Sequence, residues 1–341
     1  MGEDSDLDTM IDMSVKKILS EAQDTGAQFI VAGSNWLNGY CGWKAARILG
    51  LPFVYDARGV WHFTRSYVEP AFAARWAYDF QDRAEIAIMK ASDHVFAISN
   101  ALRDMAITKG VDESKVSVVP NMILRHSPMH SDAQNNLTTL ALRNDLLGGD
   151  TDAILLLYAG SITPYERLEV IIKALSSARN ACSNKPTIKF AVAGAGSHRK
   201  LLERLSVKLG VDQDVIWLGS RERRDLQSLI RAADFMVYPR AKHKAFQTVP
   251  PLKPLEPMSL GSVCVMSDIH PHRELAGEKD VRAFILSSDE PNDWLNAIYA
   301  LNDNSSARSA MIEAAQEWVD KERNPDCVMQ PWINLVKSLG T

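Results

Sequence analysis

Short, almost wholly apolar runs alternate along this chain with longer stretches in which apolar residues recur at helical spacing. Runs of that kind fit strands buried on both faces, and the stretches between them fit the helices that cover such a sheet. The first run, AQFIVAG (Ala27–Gly33), follows a helix expected over Asp6–Ala22. A second helix over Trp36–Leu49 ends at Gly50, and Pro52 opens the strand FVYDA. A long helix is predicted from about Glu69 to Ala91, where Phe72, Trp76, Phe80, Ala84 and Ile88 recur every four residues as its buried stripe. The strand HVFAIS, a helix closed by Gly110 and the strand KVSVVPN complete a βαβ run.

From His126 to Asp152 the pattern lapses, with SDAQNN and LGGD as breakers, and reads as a linker holding a short helix near Leu140–Leu147. The alternation then restarts with AILLLYAGS, TIKFAVAGAG, DVIWLGS, FMVYPR and SVCVMSD, each followed by a helix. Two doubly wound α/β domains in series are expected, with about four strands in the first and about six in the second. The expected boundaries are 1–130 for the first domain, 131–152 for the linker and 153–325 for the second domain. Residues 326–341 form a C-terminal helix that crosses back to the first domain. The first domain reads as incomplete at its front, because no strand and glycine turn precede its opening helix.

Composition narrows the classes of function. The chain has 341 residues, 46% hydrophobic, with 38 Lys and Arg against 42 Asp and Glu, a formal charge of −4. That near-balance argues against a general nucleic-acid binder, which needs a strongly basic face. No apolar run approaches the ~20 residues that span a bilayer. The acidic start MGEDSDLD is the opposite of a secretory leader. Cys41, Cys182, Cys264 and Cys327 are far apart and lack metal spacing, which suits reduced thiols in the cytoplasm.

Ligands of open α/β sheets sit outside the carboxyl ends of the strands, at loops feeding helices. Three loops of the second half stand out: YAGSITPYERLE, AGAGSHRK and YPRAKHKAFQTVPPLKPLE. Gly160, Ser161, Gly194 and Gly196 are small enough for backbone amides to approach a ligand, and Arg240, Lys242 and Lys244 add positive charge. Glu256, in the first turn of the helix that follows, can accept hydrogen bonds from the vicinal hydroxyls of a ribose. A nucleoside diphosphate is the natural guest.

These landmarks resemble those of the GT-B glycosyltransferases of family 4, the retaining "group 1" enzymes. The series YAGS, VAGAG, WLGS, YPR, PLEPMSLG and VMSD covers about Ala153 to Leu286. AARILGLPFVYDARGVW, KASDHVFAIS and KGVDESKVSVVPN resemble the later part of the same family's N-terminal domain. The resemblance implies two Rossmann-like domains and transfer of a sugar from a UDP- or GDP-linked donor to a saccharide or lipid-linked acceptor, with retention and no required metal. It implies that Glu256 holds the ribose, that backbone near Gly160–Ser161 meets the diphosphate, and that Lys253 reaches the same phosphates. Arg58 and Trp61 would contact the acceptor.

The chain departs from the family pattern in places. Ser161 and Glu166, beside Tyr165, stand where many members carry a diphosphate-binding Arg and Lys. Gln247 falls near the place of a usual first glutamate, able to hydrogen-bond a sugar but uncharged. Arg240, Lys242 and Lys244 are the candidate replacements for the missing cations. The expected catalytic set is therefore Gln247, Arg240 and Lys253. Glu256, Gly160, Ser161, Gly194, Gly196, Lys242, Lys244, Tyr165 and Glu166 are expected around the donor.

Bland readings stand beside these. His270 and His272 read as surface residues at a helix start, and Trp36, Trp43 and Trp76 as core or interdomain packing. Two other functions stay open: a degenerate module that binds without catalysing, and sugar-nucleotide epimerisation. An oligomer or partner chain completing the first sheet is expected from its open edge. The expected location is the cytoplasm, with peripheral contact at the inner face of a membrane left open.

Overall fold

The structure, a computed structural model, describes residues 6–124, 132–180 and 185–339. The first residues of the acidic start, the polar stretch 125–131 and Cys182 lie outside them. The chain divides into two compact units. The first comprises 1–121, 243–250 and 326–341, and the second 122–242 and 251–325.

In the first unit, β1 (Ile30–Gly33), β2 (Phe53–Ala57), β3 (His94–Ala97) and β4 (Val116–Val118) form a parallel sheet in the order β1-β2-β3-β4. Its helices are α1 (Leu7–Thr25), α2 (Trp36–Leu49), α3 (Trp61–Val68), α4 (Trp76–Ala91) and α5 (Asn100–Thr108). Local chemistry fixes their ends. The Asn35 side chain accepts from the Leu37 amide to start α2, Gly50 closes it in the left-handed region, and Ser99 accepts from Leu102 to start α5. Phe53, Tyr55, Met89 and Leu102 fill the core on one side of the sheet.

The helix expected over Glu69–Ala91 is broken. Pro70–Ala74 make a 3-10 turn, and α4 begins only at Trp76. Phe72 and Ile88 are buried as expected, but Trp76 is 78% exposed and Phe80 45% exposed. The reason is geometric. A residue every four positions runs ahead of the 3.6-residue turn, so a strict four-residue stripe winds around the helix and off the core. The face of α4 that is buried carries Glu85, Ile86, Ile88 and Met89.

In the second unit, α6 (Asp132–Leu147) runs through most of the expected linker. Its Arg143 binds the carbonyls of Ala232 and Ala153 at 2.9 and 3.0 Å, and Asp234 at 2.9 Å. The sheet follows, with β5 (Ile154–Ala159), β6 (Ile188–Ala193), β7 (Val215–Gly219), β8 (Phe235–Tyr238), β9 (Val263–Ser267) and β10 (Phe284–Leu286). All pairings are parallel, in the order β10-β9-β8-β5-β6-β7. The connecting helices are α7 (Glu169–Asn180), α8 (Arg199–Lys208), α9 (Arg223–Ala232), α10 (Leu255–Ser259), α11 (His270–Ala276), α12 (Pro291–Asn302) and α13 (Ser305–Glu322).

After α14 (Pro325–Val328) the chain rejoins the first unit with α15 (Gln330–Leu339). Val328, Trp332 and Leu335 cover Val54, Phe96 and Val119, the face of the first sheet opposite its main core. No helix among the described residues is long and apolar enough to cross a membrane.

Candidate active site at the head of the second sheet

Strand order in the second sheet reverses between β5 and β8: β6 and β7 extend one edge, β9 and β10 the other. The carboxyl ends of β5 and β8 therefore flank a topological switch point, where open α/β sheets bind ligands. The three loops singled out in the sequence leave from β5, β6 and β8.

Two of these loops pack backbone against backbone. Gly160 and Gly194 have φ of +146° and +150°, a region that side chains rarely enter. A Cβ at 194 would collide with the Gly160 carbonyl, and one at 196 with that of Ile162. The Gly160 amide donates to Ala193 at 2.9 Å and the Gly194 amide to Gly219 at 2.8 Å. These two N–H groups are spent inside the sheet, so the glycines supply close approach rather than donors for a ligand.

Beside them lies a buried polar cluster. Lys253 donates to Glu166 Oε1 at 2.6 Å and to the Tyr158 hydroxyl at 2.8 Å, while Tyr158 donates to the Ser161 carbonyl at 2.7 Å. The Lys253 stem crosses Gly160 so closely that a Cβ there would strike it. Burial lowers the Lys253 pKa, and Glu166 opposes that shift. Burial also pushes the Tyr158 phenol up, with the Glu166 charge adding to it. The Arg240 guanidinium lies 5.4 Å from the Tyr165 ring, and the Ala241 amide donates to the Tyr165 carbonyl at 2.8 Å. These contacts tie the β5 and β8 loops together.

Glu256 is the second residue of α10. Its Oε1 accepts from Gln227 at 2.9 Å and from Arg223 at 3.3 Å, both on α9. Its side chain keeps 23% exposure. These two partners hold the carboxylate in place.

The remaining candidates separate. Lys242 turns to the Ser287 carbonyl and to Asp289 at 3.4 Å, in the second unit. Lys244 belongs to the first unit, 5.1 Å from the Tyr78 ring. Arg240 and Lys242 thus belong to the second unit and Lys244 to the first. Gln247 also lies in the first unit, in a segment packed on α3 through Tyr67 with His243 and Phe246. There too, Arg58 pairs with Asp56 at 3.8 Å and donates its amide to Ser34 Oγ at 2.8 Å, and Trp61 is 63% exposed.

Similarity to known proteins agrees with this geometry. The sequence pattern of the glycosyl transferases group 1 matches residues 146–318, and that of a glycosyl transferase 4-like domain matches 13–122. The chain is a group 1 glycosyl transferase. It is 22% identical over 303 residues to a D-inositol 3-phosphate glycosyltransferase of Saccharomonospora viridis, covering 86% of this chain and 67% of that protein. It is 23% identical over 247 residues to an uncharacterized glycosyltransferase of Methanocaldococcus jannaschii, covering 72% and 60%. The fold matches Anabaena HepE in complex with UDP, with TM-score 0.74, 18% identity and coverage of 95% and 82%. Sucrose-phosphate synthase from Thermosynechococcus elongatus matches with TM-score 0.75, 16% identity and coverage of 99% and 80%.

Three residues around the candidate site carry no signal of their contacts in the sequence. Tyr158 looked like any strand residue, and Gln227 like any polar position on a helix. His272, expected at the surface, is fully buried. Its Nδ1 donates to the Ser267 carbonyl at 2.8 Å, and burial pushes its pKa down to about 3. The imidazole is therefore neutral, and its Nε2 makes no hydrogen bond among the described residues. The available signal was its place shortly after β9, on the carboxyl side of the sheet.

Proposed function

We propose that this glycosyl transferase moves a sugar, with retention, from a UDP- or GDP-linked donor to a saccharide or lipid-linked acceptor. The observation that carries the reading is the grouping of Glu256, Lys253 and Arg240 at the carboxyl ends of β5 and β8. Glu256, pre-aligned by Gln227 and Arg223, accepts the ribose hydroxyls. Lys253 and Arg240 face the diphosphate. Arg58, Trp61 and Gln247 of the first unit are assigned to the acceptor side.

In the reaction the bond between the anomeric carbon and the diphosphate oxygen breaks, and its electron pair leaves on the phosphate. The acceptor oxygen forms the new bond, and its proton departs with the diphosphate. Fixed cations beside the leaving group stabilise the charge as it develops, which is where electrostatic catalysis acts most strongly.

Titration calorimetry with UDP and GDP tests the reading. The unaltered chain is expected to bind one of them, and Glu256→Ala to weaken that binding roughly 10- to 100-fold, the worth of hydrogen bonds to a charged group. Nucleotide binding unchanged in Glu256→Ala overturns the assignment. Product formed from the donor alone, with no acceptor present, would favour epimerisation instead.

A further inference from the structure

Glu166, in the loop after β5, is buried to 3% exposure, and its carboxylate ends on the Lys253 ammonium. An acid in that position cannot itself bind phosphate. We propose that Glu166 is a positioning residue that holds Lys253, in the segment before α10, charged and aimed at the donor diphosphate. This rests on the nucleotide reading above and assigns the role of one residue within it.

The argument begins with the ammonium's three donors. Among the described residues, Glu166 takes one at 2.6 Å and the Tyr158 hydroxyl another at 2.8 Å, which leaves the third N–H for an anion. Both partners are themselves fixed. Tyr158 is anchored to the Ser161 carbonyl, and Glu166 sits in the 3-10 turn Pro164–Glu166, whose Tyr165 carbonyl is bonded to Ala241 of the β8 loop. The backbone is held as well, since the Tyr238 hydroxyl donates to the Lys253 carbonyl at 3.1 Å. Gly160 clears the path of the lysine stem. The lysine is thus located at both ends with one donor to spare.

Charge points the same way. The ionisable groups around Lys253 are Tyr158 on β5, Glu166 in the β5 loop, Tyr238 on β8, Arg240 in the β8 loop and His272 on α11. Burial raises the pKa of both tyrosines and lowers that of the histidine, which keeps them neutral, and Arg240 repels the ammonium. Glu166 alone in this group offsets the cost of burying the charge. Without it the lysine sheds its proton as pH rises, and a neutral amine is a poor partner for a diphosphate.

The test is calorimetry of UDP, GDP, UMP and GMP at about pH 6 and about pH 9, since removing the Glu166 charge lets the lysine lose its proton at lower pH. The variants are Glu166→Gln, Lys253→Met and the double variant, with melting curves as a folding check. Glu166→Gln is expected to lose about tenfold or more of the preference for diphosphate over monophosphate, the worth of a charge-assisted contact. The loss is expected to be larger at the higher pH. The double variant is expected to bind no worse than Lys253→Met, because Glu166 acts through the lysine. If Glu166→Gln does not fold, Glu166→Asp carries the test, with the same loss in smaller measure. Diphosphate preference and pH profile unchanged in the folded variant overturn the role of Glu166, as does an additive double variant. Failure of the unaltered chain to bind any of the four nucleotides overturns the nucleotide reading itself.

Discussion

Glu85, on the buried face of α4, accepts a short hydrogen bond from the Tyr55 hydroxyl and is 3% exposed. Burial raises its pKa from 4.5 to about 7, although the Tyr55 bond pulls the other way. The sign is the reverse of the usual carboxylate. Below about pH 4.5 the group is protonated whether the chain is folded or not, and it costs nothing. As pH climbs from there through about 7, folding must take up a proton, and the native state loses on the order of 3 kcal/mol. Glu85→Gln keeps the acceptor for Tyr55 and removes the charge. Its melting temperature is expected to match the parent's in acid and to exceed it above neutrality. Parallel melting curves across that range would contradict this account.

At the scale of elements, the β5 and β6 loops owe their contact to glycine. Gly194→Ala would force a side chain into a positive φ and against the Gly160 carbonyl, at a cost of roughly 2 kcal/mol or more. Chemical denaturation is expected to show that loss; a smaller one would mean that the loops relax freely. Much at this scale was legible in the sequence. The strands, the helix ends at Gly50 and Gly110, and the placing of Gly160, Gly194, Lys253 and Glu256 after strands follow from apolar runs and breakers that act locally. What was not legible depends on rotation and depth. The stripe through Trp76 and Phe80 met the right period too loosely and wound out to solvent, while Phe72 before it stayed buried. The Glu166–Lys253 pair joins residues far apart in sequence, which spacing does not register, and the burial of His272 is a matter of depth. Lys242 and Lys244, two positions apart, were read together but fall in different units.

At the scale of the whole molecule, α15 is a late addition to a sheet completed some two hundred residues earlier in the chain. The Trp332 ring lies 4.1 Å from that of Phe96, so Trp332→Ala is expected to cost about 2 kcal/mol in the first unit. Calorimetry is expected to shift one transition and leave the second unit's in place; a uniform shift of both would contradict that. The segment 243–250 has a further consequence. It leaves the second unit, is fastened to the first by the Ser99 hydroxyl on the Thr248 carbonyl at 2.5 Å and by Asn121 on that of Pro250 at 3.4 Å, and then returns directly to Lys253 and Glu256. The second unit therefore cannot be harvested as a free-standing piece. A fragment cut at 122 and 325 would carry an eight-residue loop stripped of its anchor, with Phe246 laid bare and the lysine and glutamate just beyond it left on a slack tether.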